Sequence, residues 1–265
     1  MRALNEIRGK VREKRPLVHC ITNPISINQC ANAVLAAGAR PIMAEHPAEV
    51  KEITESADAL MLNLGNITDV RMESMEIALR AAKDKGIPVV LDAVGAACSG
   101  MRREYATRLL ATAAPAVLKG NYSEIYALYR TAYRSTGVDA DETLGEEEVR
   151  KAAARLAVKY NTTVLASGRT DIVTDGARVA LIRNGTPQLA DVTGTGCMLG
   201  ALCGVYLSVS PGMDAAMTAC VVLGACGQIA ETEKGSGTFL VNLLDALSMV
   251  TDDQLEELKE LEETR

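Results

Sequence analysis

The segment Asp191-Val-Thr-Gly-Thr-Gly-Cys197 carries the sharpest chemical pattern in this 265-residue sequence. Gly194 and Gly196 let the backbone approach a ligand closely and adopt positive φ. An apolar run follows, so the segment opens a helix, and the amides freed at a helix start attract an anion together with the helix dipole. Such a loop can cradle a phosphoryl group. It is not a Walker A loop, because no Gly-Lys-Ser/Thr follows. The spacing and the preceding strand do not fit a dinucleotide fingerprint either. A Gly-rich turn before a buried helix is the plain structural alternative. Cys197 falls in the first turn of that helix, where a negatively charged group is favoured.

Asp92 and Glu124 are candidate Mg²⁺ partners, since magnesium prefers a few carboxylates, often through water, plus phosphate oxygens. Glu124 has a second reading as a helix N-terminal acid behind a cap at Asn121 or Ser123. Asp92 also belongs to a wider set. Asn23, Asn63 with Gly65 and Asn66, Lys119 with Gly120 and Asn121, and Ser167 with Gly168 each sit where a predicted strand ends. Parallel sheets bind ligands at the carboxyl ends of their strands. One polar strand end means little, whereas five at one predicted edge describe a site. His19 and His46 are too differently placed for a metal pair, and His19 in an apolar strand reads as a core histidine.

These residues need elements to hold them. Short apolar strands are predicted at Leu17–Ile21, Ala39–Met43, Ala59–Asn63, Pro88–Asp92, Ala116–Lys119 and Thr162–Ser167. They alternate with helices predicted at Ser26–Ala37, Pro47–Ser56, Thr68–Lys85, Arg103–Thr112, Tyr122–Thr131 and Glu146–Tyr160. An opening helix covers Ala3–Lys14. The alternation means βαβ units and a mostly parallel sheet. After Ser167 the spacing shortens to Asp171–Thr174, Arg178–Ile182 and Gln188–Ala190. The turns Asp175-Gly176 and Asn184-Gly185 between them are hairpin signals, so an antiparallel edge is expected. Apolar helices follow at Met198–Leu207 and Met213–Thr232, then a last one at Leu240–Met249. The acidic tail from Asp252 is expected to form a solvated helix face. No Pro-, Gly- or Ser-rich linker divides the chain, and residues 1–265 read as one domain.

Composition narrows the function classes. The net charge is −6 and the pI about 5.2, which argues against nucleic acid as a partner. Val192–Met213 carries no charged residue and is long enough to span a bilayer, but its Gly loop and its closing Ser210-Pro-Gly212 favour a buried helix, and no membrane is expected. Residues 2–15 are strongly charged and lack the apolar core of a signal peptide. The seven cysteines are odd in number and irregularly spaced. That indicates neither a disulfide framework nor a zinc site, and a reducing, cytoplasmic compartment is expected.

Five segments in order resemble the successive motifs of the hydroxyethylthiazole kinase family: Val18-His-Cys-Ile-Thr-Asn-Pro-Ile25, Leu62-Asn-Leu-Gly-Asn66, Pro88-Val-Val-Leu-Asp-Ala-Val-Gly95, Leu118-Lys-Gly-Asn-Tyr-Ser-Glu-Ile125 and Asp191–Cys197. Gly235–Leu247 resembles the family's C-terminal segment. The resemblance implies a ribokinase-like three-layer α/β sandwich with helices on both faces. It implies transfer of the ATP γ-phosphoryl group to the primary alcohol of 4-methyl-5-(2-hydroxyethyl)thiazole, with Mg²⁺, in a homotrimer with pockets between subunits. Residue by residue, it implies substrate contacts at Asn23, Met43 and Gly194, ATP contacts at Lys119 and Ser167, and magnesium-side acids at Asp92 and Glu124. Gly196 belongs to the same nucleotide loop. Cys197 matches the position where most ribokinase-like kinases carry an aspartate base. One departure is Lys119, where the family commonly has Arg; a point charge replaces a bidentate fork. Two alternatives stay open: a related kinase for hydroxymethylpyrimidine or pyridoxal, and a non-catalytic nucleotide-binding regulator. Cys197 and Thr22-Asn23-Pro24 favour the thiazole, and the presence of Asp92, Glu124 and Cys197 favours catalysis.

Overall fold

The computed structural model describes residues 4–130, 132–133 and 144–264. Nine strands form one sheet: β1 (Leu17–Ile21), β2 (Arg40–Ile42), β3 (Ala59–Asn63), β4 (Val89–Asp92), β5 (Val117–Asn121), β6 (Thr163–Ser167), β7 (Asp171–Thr174), β8 (Val179–Ile182) and β9 (Leu261–Thr264). Their spatial order is β2-β1-β3-β4-β5-β6-β7-β8-β9. Pairing is parallel from β2 to β6 and antiparallel from β6 to β9. The chain leaves β1 towards β2 and returns to β3 on the other side. A topological switch point therefore lies between β1 and β3, where open α/β sheets form their ligand crevice.

Strand side chains alternate between faces, and two cores result. Val18, Met61, Val90 and Val117 face one layer, built from α1 (Leu4–Lys14), α2 (Ile27–Ala36), α8 (Thr195–Leu207), α9 (Gly212–Ala230) and α10 (Ser236–Met249). Leu60, Leu62, Leu91 and Leu118 face the other, built from α3 (Val50–Ser56), α4 (Asp69–Lys85), α5 (Gly100–Thr112), α6 (Tyr122–Tyr129) and α7 (Glu146–Tyr160). This is the expected three-layer sandwich. Helix α9 is long and apolar enough to cross a membrane, but 89% of it is buried inside the fold, and the flagged Val192–Met213 stretch holds the buried α8. An apolar surface all round is what a core helix needs.

Boundaries follow local chemistry. Thr68 caps α4 through its hydroxyl, and Gly86 ends that helix at φ 70°. Ser99 caps α5, which starts at Gly100 rather than the expected Arg103. Helix α8 starts at Thr195, three residues before the expected Met198, because Gly194 at φ 93° turns the chain into the helix. The Thr131 end of the expected sixth helix lies outside the described residues.

Two expectations are corrected. Gln188–Ala190 is not a strand: Pro187–Leu189 forms a 3₁₀ turn capped by the Thr186 hydroxyl. The strand that extends the antiparallel edge comes from the acidic tail, where only α11 (Asp252–Leu258) is helical and Leu261–Thr264 pairs with β8. Its glutamates meet cations, Glu262 with Arg183 at 3.2 Å and Glu263 with Arg178 at 3.6 Å. A short charged strand is a normal way to finish a sheet edge.

Candidate active site

The carboxyl ends of β1, β3, β4, β5 and β6 bring the predicted polar residues to one edge. The parallel register sets Asn63 beside Asp92 and Asp92 beside Lys119, and Asn121 beside Ser167. Asn23 follows β1 across the switch point and is 5% exposed.

At the centre Lys119 Nζ donates to both oxygens of Asp92, at 3.1 and 3.0 Å. Asp92 has no exposed surface and Lys119 is 3% exposed, so the ion pair is nearly withdrawn from bulk water. Burial alone would lower the Lys119 ammonium, but the Asp92 and Glu124 carboxylates outweigh it and hold Lys119 protonated. Burial raises Asp92, while Lys119 and the Asn63 carboxamide oppose that rise.

Glu124 lies at the start of α6 and is also buried. Its two oxygens accept from the amides of Gly95 and Asn121, each at 2.7 Å, and the Asn121 side chain caps the Glu124 amide in return. The cap reading of Glu124 therefore holds, with Asn121 as the cap. Burial pushes the Glu124 carboxyl up to about 7, with Lys119 and the two amides pulling it down and Asp92 adding to the rise. A raised carboxyl holds a proton in the folded protein that the unfolded chain has released. Its contribution to stability is full below the ordinary glutamate range, about 4.3, and is lost as pH rises through the folded value of about 7. Glu124→Gln removes this titration. The stability of the wild type relative to Glu124→Gln should fall between about pH 4 and about pH 7 in urea unfolding and level off above. A difference that stays constant would show an ordinary glutamate.

Helix α8 brings the glycine loop to the same cluster. Its first amides, at residues 195–197, are ones an α-helix leaves without an intrahelical acceptor. A Cβ on Gly196 would lie 3.6 Å from Lys119 Nζ, so loop and ammonium face one another. Gly194 must be glycine on two counts: its φ is 93°, and a Cβ there would sit 3.1 Å from Ser26 Cβ. At Gly200, one turn further along α8, a Cβ would approach Met61 Cε to 2.8 Å and Asp92 Oδ2 to 3.2 Å, which is how closely the helix lies on β3 and β4. Cys197 is buried, and its sulfur lies 3.2 Å from Asn23 Nδ2 and 3.3 Å from Asn63 Nδ2.

Beside this centre lies a cavity of about 930 Å³, lined by Ser167, Gly168, Asp171, Asn184, Gly196 and Gly224 among others. Ser167 donates to the Gly120 carbonyl at 3.4 Å. A smaller hollow of about 370 Å³ between α9, α10 and α11 contains none of the predicted site residues.

The edge thus gathers Asn23, Asp92, Lys119, Glu124, Cys197 and the loop glycines, with Ser167 on the adjoining cavity. Met43 sits just past β2, half-buried and packed against the α8 side of the core, outside the hydrogen-bonded cluster. His19 is a satisfied core histidine, bonded to Thr54 Oγ1 at 2.9 Å and to the Ala44 carbonyl at 2.8 Å. Sequence reasoning noted Asn63 at a strand end without giving it a role, and it missed Arg71 and Asp171 altogether. Arg71 is 2% exposed and donates to the carbonyls of Asn63, Gly65 and Asn66. Its position in a polar first helical turn gave no sign of that. Asp171 closes the cavity wall and accepts from the Gly168 amide at 3.0 Å, with burial raising its carboxyl to about 6.

No group of three or more His, Cys, Asp or Glu residues able to hold a metal occurs among the described residues. Every oxygen of Asp92 and Glu124 already accepts an N–H. The two acids therefore suit a magnesium that arrives with nucleotide phosphates and keeps its waters, rather than a resident ion in an all-protein cage.

A family model, the hydroxyethylthiazole kinase family, matches residues 9–253. The chain belongs to the hydroxyethylthiazole kinase family. It is 43% identical over 253 residues to hydroxyethylthiazole kinase 2 of Clostridium botulinum (strain Langeland), covering 94% of this chain and 96% of that protein. The structure of a hydroxyethylthiazole kinase protein from Pyrococcus horikoshii OT3 superposes over the whole of both chains with a TM-score of 0.92 at 37% identity. A ribokinase-like superfamily protein from Enterococcus faecalis, 13% identical, matches 91% of this chain and 87% of its own with a TM-score of 0.65. That last likeness speaks for the fold alone.

Proposed function

We propose that the buried cluster at the strand ends is the phosphoryl-transfer centre of a hydroxyethylthiazole kinase. The activity is ATP-dependent phosphorylation of the primary alcohol of 4-methyl-5-(2-hydroxyethyl)thiazole. The observation that carries the site reading is the convergence of the Lys119–Asp92 pair, the free amides of α8 and the Cys197 sulfur.

Phosphoryl transfer asks a protein mainly for alignment and charge stabilisation. The amides at residues 195–197 and the Lys119 ammonium receive the negative charge of the γ-phosphoryl group. The alcohol oxygen forms its bond to phosphorus as the bond to the β-phosphate bridging oxygen breaks, ADP keeps that electron pair, and the alcohol proton leaves late, onto an oxygen of the transferred phosphoryl group. Cys197 lies at the acceptor side, where its sulfur orients the hydroxyl and takes its hydrogen bond. Asn23, Met43 and Gly194 line the thiazole side, and Ser167 and Gly196 the ATP side, next to the 930 Å³ cavity. Asp92 and Glu124 lie where they would hold a magnesium through its waters, and that ion supplies neutralisation of the polyphosphate when bound.

Residues 1–265 act as a single kinase domain in this reading, assembled as a homotrimer in the cytoplasm. Seven free thiols suit a reducing compartment. Ile25 at 59% and Leu35 at 55% exposed, beside and on α2, give an apolar surface next to the substrate motif for a second subunit. Sedimentation should give three times the 28.1 kDa chain mass; a monomer would refute the trimer. EDTA should abolish ADP release and added Mg²⁺ restore it, whereas undiminished turnover in EDTA would refute the metal assignment.

A further inference from the structure

Asn63 closes β3 and has no exposed surface. Its carboxamide makes four contacts. Oδ1 accepts from the Gly65 amide at 2.8 Å and from Asn23 Nδ2 at 3.1 Å, while Nδ2 donates to Asp92 Oδ2 at 3.0 Å and to Cys197 Sγ at 3.3 Å. A carboxamide could in principle sit either way round. Here a backbone N–H decides it, because the Gly65 amide can only donate and so takes the oxygen. The same logic fixes Asn23: the Ser26 amide donates to its Oδ1 at 3.2 Å, which turns Nδ2 towards Asn63 and, at 3.2 Å, towards Cys197 Sγ. Two backbone amides thus orient two carboxamides, and two N–H groups converge on one sulfur.

The turn that carries the Gly65 amide is itself held. Arg71 clamps the carbonyls of Asn63 at 3.1 Å, Gly65 at 2.9 Å and Asn66 at 2.8 Å, and Asn66 adopts a left-handed φ of 45°. Gly65 can come this close because it lacks a Cβ, which would stand 2.8 Å from both Asn23 Nδ2 and Asn63 Oδ1. The arrangement therefore runs from a buried arginine through a fixed turn to Asn63, and from Asn63 to Cys197 and Asp92.

We propose that Asn63 is the positioning residue that holds the Cys197 sulfur as a hydrogen-bond acceptor and ties it to the Asp92–Lys119 pair. The inference deepens the kinase reading and rests on it. Asn63 has both ends of its carboxamide engaged and so acts through Cys197, not on the substrate. A sulfur kept as acceptor by two donors is set to receive the hydroxyl hydrogen of an incoming alcohol. Because the same Nδ2 touches Asp92, the acceptor half and the phosphate half of the site share one geometry.

The test is a double-mutant cycle with Asn63→Ala and Cys197→Ala, reading ADP release with hydroxyethylthiazole. Asn63→Ala should lower kcat about 100-fold in the wild-type background and no more than about tenfold where Cys197 is already alanine, with the KM for ATP little changed. Equal losses in both backgrounds would overturn the proposal, since packing damage alone is multiplicative. Asn63→Leu, which keeps the volume and the neutral charge and loses the hydrogen bonds, serves in the same cycle should the alanine variant not fold. A second readout needs no turnover. Iodoacetamide labelling at one pH, quantified peptide by peptide, compares Cys197 with the exposed Cys98 as internal reference. Removing an N–H from the sulfur disfavours its nucleophilic form, so Asn63→Leu should slow Cys197 labelling at least about fivefold relative to Cys98. An unchanged ratio would overturn the positioning role. Absence of wild-type turnover would fail the kinase reading, and the labelling ratio would still decide for or against Asn63.

Discussion

Lys119→Met is expected to cost about 3–5 kcal/mol of folding stability and nearly all phosphoryl transfer. Both effects come from one contact. Lys119 and Asp92 are buried together, and the ammonium touches both carboxylate oxygens. Methionine fills the same volume but leaves a carboxylate with no counter-charge and no exposed surface. That carboxyl must take up a proton, so the folded variant should weaken further as pH rises. Turnover falls for a different reason: the fixed positive charge facing the glycine loop is gone, a change worth about 10³-fold or more in phosphoryl transfer. The two causes separate in Lys119→Met/Asp92→Asn, which removes the unpaired Asp92 carboxylate as well. Urea unfolding of the double variant should recover most of the lost stability, while ADP release stays absent. Recovery of activity in the double variant would show that Lys119 serves the fold alone.

Cys197 should behave less severely. Cys197→Ala is expected to lower kcat about 10- to 100-fold without abolishing turnover, below the usual range for a strong general base. A loose transition state places little early charge on the attacking oxygen, so the sulfur's task is to orient the hydroxyl. Cys197→Asp should match or exceed the wild type. The Asn23 and Asn63 N–H groups that now meet the sulfur would donate to a carboxylate, and charge-assisted hydrogen bonds are about twice as strong. Steady-state kinetics of both variants, each checked for folding, decide the matter. A folded Cys197→Asp with no activity would contradict the placement of this residue at the acceptor.

Most of the fold was legible because its signals are local. Short apolar runs ending in Asn63, Asp92 and Lys119, with helices between them, predict a parallel sheet with polar carboxyl ends. Those same ends are where the structure gathers Asn23, Asp92, Lys119 and Glu124. The β9 strand was hidden because Leu261-Glu-Glu-Thr264 carries no apolar face. It pairs with β8, which is far away in sequence, and its glutamates reach Arg178 and Arg183 there. The Asn63 contacts were hidden for a related reason. A carboxamide at a strand end shows nothing of its partners until β1, β3 and α8 are brought together. Arg71 looks from sequence like any surface cation in an amphipathic helix, and only the burial of α4 against the Asn63–Asn66 turn gives it a function. The Lys119–Asp92 ion pair is likewise a product of sheet register, since the sequence separates them by 27 residues.

The most direct test of the account is ADP release from ATP and Mg²⁺ with three alcohols in parallel: hydroxyethylthiazole, hydroxymethylpyrimidine and pyridoxal. The account predicts release that depends on hydroxyethylthiazole, with the other two at background. Release driven by hydroxymethylpyrimidine or pyridoxal in its place, or no release with any of the three, would contradict it.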